Sequence, residues 1–222
     1  MWKIALFGCL LPLSVLAEFA AVNGVKMYYE IHGQGRPVVL LHSGMHGIQS
    51  SFAKQIAVLA RGHKVIAIEQ MAHGHTAAVP GRPLSYELMA QDTAALLLKL
   101  GVTNADLIGW SDGGQLVRRV VASGVGLGAS AAIVKDLGAP VGFPKMAADM
   151  FPKGALADLL KIKRPVLIVA GDGYFCPIEE TNRIYRAIPG AKLFILPGTG
   201  HTTFQDRPDW FNPVLLDFLD QK

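Results

Sequence analysis

The sequence predicts an α/β fold: a mostly parallel β-sheet flanked by helices. Short, continuously apolar runs recur at residues 37–41, 65–68 and 166–170. Such runs suit strands covered on both faces, as in a parallel sheet. Segments with helical spacing separate them, which calls for right-handed crossovers between neighbouring strands. The chain has 222 residues, 51% hydrophobic and 17% charged. That is enough to build one core without a disulfide or metal to staple it.

Residues 25–31 are rich in β-formers, and Gly33-Gln34-Gly35 marks a turn after them. Strand 37–41 follows, then a helix over 51–59 ending near Arg61-Gly62, then strand 65–68. Ser85 can cap a helix running to Leu100 and stopping at Gly101. Strand 105–110 comes next. Residues 131–134, 166–170 and Lys192–Leu196 read as further buried strands, and 179–187 and 209–219 as helices.

The first 17 residues read as an export signal and not as part of the fold. Lys3 gives a short positive start, residues 4–16 are apolar, and Val15-Leu16-Ala17 suits a signal-peptidase site before Glu18. The apolar run is short for a membrane span, which takes about 20 residues. Two alternatives stay open: a lipoprotein signal at Leu6-Phe7-Gly8-Cys9, and a buried N-terminal helix. The expectation is an exported protein, periplasmic or secreted, with residues 18–222 as one domain. Removing the signal takes away Cys9 and leaves Cys176 as the sole thiol, a small apolar filler and not half of a disulfide.

Twenty-one Lys and Arg against 17 Asp and Glu leave a net charge of +4. These charges are scattered, with no polybasic run and no interleaved aromatic ladder, so nucleic acid is not an expected partner.

The strongest chemical signal is Gly109-Trp110-Ser111-Asp112-Gly113-Gly114 directly after strand 105–110. Gly-x-Ser-x-Gly at a strand-to-helix turn is a nucleophile elbow. The turn is so tight that both flanking positions need a residue without a side chain, and it thrusts the serine hydroxyl out of the sheet. The amide of Asp112 then faces the place where an oxyanion would form. An ordinary glycine turn is the plain alternative. Upstream, Val39-Leu40-Leu41-His42-Ser43-Gly44 is a strand entering a His-x-Gly turn. Downstream, Leu196-Pro197-Gly198-Thr199-Gly200-His201 is a strand followed by a glycine-rich loop ending in histidine. A serine hydroxyl needs an adjacent base to attack, and His201 follows Ser111 in the chain order Ser…acid…His.

Together these segments resemble the α/β-hydrolase superfamily, within its esterase, enol-lactonase and haloperoxidase-like group. The resemblance runs from about Val22 to the C-terminus and includes residues 68–76, similar to the family loop ending Gly-His-Gly-x-[Ser/Thr]. It implies that the amide of Gly44 is the second oxyanion donor and that His42 is a structural hydrogen-bonder. It also implies a small-molecule ester or lactone substrate and no cofactor or metal. His73 and His75 could suggest a metal, but no set of three or four converging ligands is visible.

The sequence departs from the family pattern twice. The catalytic acid usually follows strand 166–170 as Gly-[Asp/Glu]-x-Asp, but here the segment is Gly171-Asp172-Gly173-Tyr174. Tyrosine, with an ordinary pKa near 10, cannot serve as that anion. Asp172 is the favoured acid, with Asp136 and Glu179 as local candidates and an incomplete triad as a further alternative. The second departure is a contracted middle. Only Gln115, Leu116 and Val117 separate the elbow from residues 118–124, which resemble the family's next strand. A parallel crossover needs about a dozen residues. Either residues 115–123 form the helix and 131–134 the strand, or a helix has been lost. Residues 138–163 leave room for a minimal cap only.

The expected activity is a serine hydrolase acting on carboxylic esters or related acyl bonds through an acyl-enzyme on Ser111. The alternative is an impaired, hydrolase-like binding protein. A rival dinucleotide fingerprint, Gly124-Val125-Gly126-Leu127-Gly128-Ala129, needs residues 119–123 as its strand.

Overall fold

The structure, a computed structural model, describes residues 15–122, 132–135, 162, 164–173 and 178–221. Its centre is an eight-stranded sheet in the order β1-β2-β4-β3-β5-β6-β7-β8. The strands are β1 (Val15–Val22), β2 (Val25–His32), β3 (Arg36–Leu41), β4 (His63–Ile68), β5 (Asp106–Trp110), β6 (Ala132–Lys135), β7 (Val166–Gly171) and β8 (Lys192–Leu196). β1 and β2 are antiparallel to their neighbours, and every pairing from β4 through β8 is parallel. The helices are α1 (Ile48–Leu59), α2 (Tyr86–Lys99), α3 (Asp112–Ala122), α4 (Ile178–Ala187), α5 (Thr203–Asp206) and α6 (Pro208–Asp220).

Alternation explains the apolar runs. Along β3, Val38 and Leu40 pack with Phe52 and Leu59 of α1 and with Phe211 and Leu215 of α6. Val39 and Leu41 point the other way, into a core with Leu96 of α2, Leu116 and Val117 of α3, and Ile184 of α4. Period-2 alternation therefore reads as an unbroken apolar string, because both faces are covered. Each such side chain contributes about 1.5–3 kcal/mol on burial.

α2 begins as expected. The Ser85 hydroxyl accepts the Leu88 amide at 3.2 Å, and Gly101, at φ 68°, ends the helix. The contracted middle resolves with a helix and then a strand. α3 occupies residues 112–122 and β6 pairs in parallel with both β5 and β7. The dinucleotide reading is thereby corrected, because residues 119–122, which it needed as a strand, lie in α3.

One element goes beyond the sequence expectation. Val15, Leu16 and Ala17, read as the end of the signal, form the exposed first residues of β1, paired with His32, Ile31 and Glu30. The turn behind this pairing is Asn23-Gly24, both at positive φ, a combination that closes two-residue hairpins. The cap expected at 138–163, apart from the buried Ile162, lies outside the described residues, as do Cys9, Cys176, Asp136, Tyr174 and the 124–129 glycine run. Among the described residues, no helix is long and apolar enough to cross a membrane.

The parallel strands share one direction, so the C-terminal ends of β3, β4, β5, β7 and β8 lie along one edge of the sheet. Ligands of open α/β sheets bind outside that edge. His42, Gln70, Ser111, Asp172 and His201 all follow those strand ends.

Candidate active site

Ser111 connects β5 directly to α3 and holds φ at 56°, the left-handed region. A non-glycine residue there costs on the order of 1–3 kcal/mol and persists only when its surroundings enforce it. The enforcement is visible. A Cβ on Gly109 would overlap the Gly113 carbonyl, and a Cβ on Gly113 would overlap the carbonyl of Leu41 on the neighbouring strand. The Gly114 amide closes the turn on the Ser111 carbonyl at 2.9 Å. Asp112 is the first residue of α3, and the first amides of a helix have no intrahelical carbonyl to bond.

The turn after β3 lies on the strand beside the elbow. His42 is buried, and its Nε2 accepts the Gln70 amide at 2.9 Å. That places the ring proton on Nδ1, which donates to the Ser43 carbonyl at 2.7 Å. Burial pulls the His42 pKa down to about 4, so the ring is neutral and shapes the turn as a hydrogen-bonder. Gln70 also reaches α2, with Nε2 donating to the Thr93 hydroxyl at 3.1 Å. Behind the turn, the buried Glu69 accepts the first amide of α1, that of Ile48, at 3.1 Å. It also accepts the backbone amide of His75 and pairs with its Nδ1. Gly47 and Gly74 leave the room its carboxylate occupies. A carboxylate at a helix N-terminus is favourably placed.

His201 is carried by the loop after β8, and that loop is tied at several points. The Asp172 carboxylate, exposed at the end of β7, accepts the Gly198 amide at 2.7 Å. The Gly173 amide donates to the Thr199 carbonyl at 2.9 Å. The Thr199 hydroxyl donates back to Leu196 at 2.9 Å. The indole Nε1 of Trp110, the residue before Ser111, donates to the His201 carbonyl at 3.1 Å. The structure thus brings His201 against Trp110, the last residue of β5 before Ser111, and brings Asp172 to the His201 loop through Gly198. Glu179, the other described acid candidate, is exposed in the first turn of α4.

A cavity of about 720 Å³ opens beside the elbow at Asp112, with neither Ser111 nor His201 among its lining residues. Ser43 and Gly44 wall one side, Asp112 and Leu116 another, and Met45 and Leu84 stand on the rim. Two wall residues had no motif to mark them. Tyr86, at the start of α2, donates its hydroxyl to Asp112 Oδ1 at 2.5 Å. Burial and that hydrogen bond hold its pKa far above the ordinary phenol value. The Arg119 guanidinium lies 5.1 Å over the Tyr86 ring and donates to Glu87 at 2.7 Å, which lowers the Glu87 pKa. His73 rests its Nδ1 on the Met71 carbonyl at 3.0 Å. His75 turns its Nδ1 to the Glu69 carboxylate at 3.0 Å.

The family model for the alpha/beta hydrolase fold matches residues 37–125, from β3 through the elbow and α3. The chain has the α/β-hydrolase fold. It is 26% identical to the human serine hydrolase BPHL, over 93% of this chain and 87% of that protein. Its fold is similar to that of an esterase from Exiguobacterium antarcticum, with a TM-score of 0.81, 21% identity, and coverage of 93% of this chain and 100% of that one. It is likewise similar to the enol-lactonase from Burkholderia xenovorans, with a TM-score of 0.78, 20% identity, and coverage of 91% and 100%.

Proposed function

We propose that this protein of the α/β-hydrolase fold is a serine hydrolase that cleaves carboxylic esters, lactones or related acyl bonds. The observation that carries the reading is Ser111, held at φ 56° where β5 meets α3. Ser111 Oγ attacks the acyl carbon and passes its proton to His201. The carbonyl oxygen gathers negative charge and is held by the amides of Gly44 and Asp112. The leaving alcohol takes the proton from His201, and a water molecule, deprotonated by His201, then releases the acid from Ser111. Each oxyanion donor is worth about 10²–10³ in rate. Asp172 serves as the acid, placed at the foot of the His201 loop through its contact with Gly198. The substrate occupies the cavity beside Gly44 and Asp112. The named activities of the esterase and enol-lactonase of like fold support this substrate class. The protein acts after export, with residues 1–17 removed.

A second reading has its own support. Tyr174 stands where the family acid is expected, and an impaired protein of this fold would bind a small molecule without turning it over. Hydrolysis of p-nitrophenyl acetate and butyrate separates the two. The proposal expects turnover that drops at least 10³-fold in both Ser111→Ala and His201→Ala. Turnover unchanged in Ser111→Ala, or none in a folded wild-type protein, sinks it.

A further inference from the structure

Trp110 carries more than core packing. Its side chain is buried at the end of β5 and makes four directed contacts. Nε1 donates to the His201 carbonyl at 3.1 Å, and the His201 imidazole lies 5.4 Å away, tilted by 41°. The His46 imidazole sits 5.0 Å from the indole, tilted by 52°. Phe204, in the helix that follows His201, packs edge-on at 5.1 Å. His46 belongs to the turn that presents Gly44, where its amide donates to the Ser43 carbonyl at 3.3 Å. One rigid ring system therefore touches both the turn that carries Gly44 and the turn that carries His201, and its own backbone continues into Ser111.

Sheet geometry makes such a post necessary. β8 lies three positions from β5, and neighbouring strands are about 4.8 Å apart, so the His201 loop must return across roughly 14 Å. That loop holds Gly198 at φ 68° and also Gly200, and ordering each backbone residue costs about 1–2 kcal/mol. The ties to Asp172 and Gly173 fix the near half of the loop, at Gly198 and Thr199. A tie at the histidine itself comes from Trp110. A phenyl ring at position 110 would keep most of the packing against Phe204 and lose the indole N–H that donates to the His201 carbonyl.

We propose that Trp110 is a positioning residue that sets the spacing between the His201 turn and the Gly44 turn around Ser111. This rests on the serine-hydrolase reading above and adds to it a residue that acts through His201. A misplacement of about 1 Å in a catalytic group can cost a hundredfold in rate without touching ground-state binding. The loss should therefore fall on the chemical step.

The test follows phosphonylation by a fluorophosphonate as a function of its concentration, in wild type, Trp110→Phe and Ser111→Ala. Trp110→Phe is expected to lower kinact at least tenfold and leave KI within about threefold, with its far-UV spectrum retained. A kinact within twofold of wild type, or a loss wholly in KI, overturns the proposal. Should Trp110→Phe not fold, the native ring answers instead. In Trp210→Phe protein beginning at Glu18, where Trp110 is the one tryptophan left, a protonated imidazole beside the indole quenches its emission. Emission should rise with pH in a step that His201→Gln abolishes and His46→Gln leaves in place. Emission with no step dependent on His201 overturns the proposal. If wild type takes no label at all, it is the hydrolase reading that fails, while the emission titration still reports on the Trp110–His201 contact.

Discussion

Gly113 lies so close to Leu41 that a methyl group on it would overlap the Leu41 carbonyl oxygen. The contact joins the start of α3 to the end of β3, and with it the elbow to the turn that carries Gly44. Gly113→Ala should therefore cost about 3 kcal/mol, since the overlapping atom is backbone and cannot swing aside. Gly62→Ala, where an added Cβ meets nothing within 4 Å, should stay within about 0.5 kcal/mol of wild type. Urea unfolding of both variants checks the contrast, and equal midpoints would contradict it.

His42 supplies a pH prediction. Its pKa is about 4 in the folded chain and 6.5 as the ordinary value. Between those values the unfolded chain binds a proton that the folded chain refuses. Stability therefore rises with pH across the window and is lost as pH falls from about 6.5 toward 4. The full effect is roughly 3 kcal/mol. His42→Gln should be less stable at pH 7 and show a flatter pH profile than wild type between pH 6.5 and 4. Parallel profiles in urea unfolding would contradict the assignment.

Asp172 has two separable contributions. Asparagine keeps an oxygen to accept the Gly198 amide and removes the charge, whereas alanine removes both. The proposed acid role predicts that Asp172→Asn loses a hundredfold or more in kcat with little change in Tm. Asp172→Ala should lose as much activity and about 1 kcal/mol of stability besides, the net worth of one hydrogen bond. Wild-type activity in Asp172→Asn, with activity abolished in Glu179→Gln or Asp136→Asn, would move the acid elsewhere.

The buried Glu69 ties α1 to the loop at His75. Its amide replacement brings two N–H groups to face donors that a carboxylate accepts. Glu69→Gln should cost about 2 kcal/mol or more in urea unfolding. Unchanged stability would mean that the α1 N-terminus is held by other contacts.

Most of the sheet was legible because parallel strands buried on both faces leave unbroken apolar runs, and 37–41, 65–68 and 166–170 are such runs. The elbow was legible because its glycines are demanded by sterics, as Gly109 and Gly113 bear out. β1 was missed because its first residues share the apolar character of a signal segment, although Asn23-Gly24 was a usable hairpin signal. The short α5 was missed for want of a full helical period. Contacts such as Trp110 with His201 and Tyr86 with Asp112 join residues 91 and 26 positions apart. No periodicity or spacing announces such pairs, since only the folded sheet brings them together. Asp172 was named from its neighbours in the chain, and its contact with Gly198 could be known only once β7 and β8 lay side by side.

The most direct test of the central claim is to treat the protein with a fluorophosphonate at pH 7.5 and locate the adduct by peptide mass mapping. An adduct on Ser111, slowed at least a hundredfold by His201→Ala, is the result predicted for a serine held at the elbow and activated by that base. An adduct on another residue, or labelling of Ser111 at the same rate without His201, would contradict it.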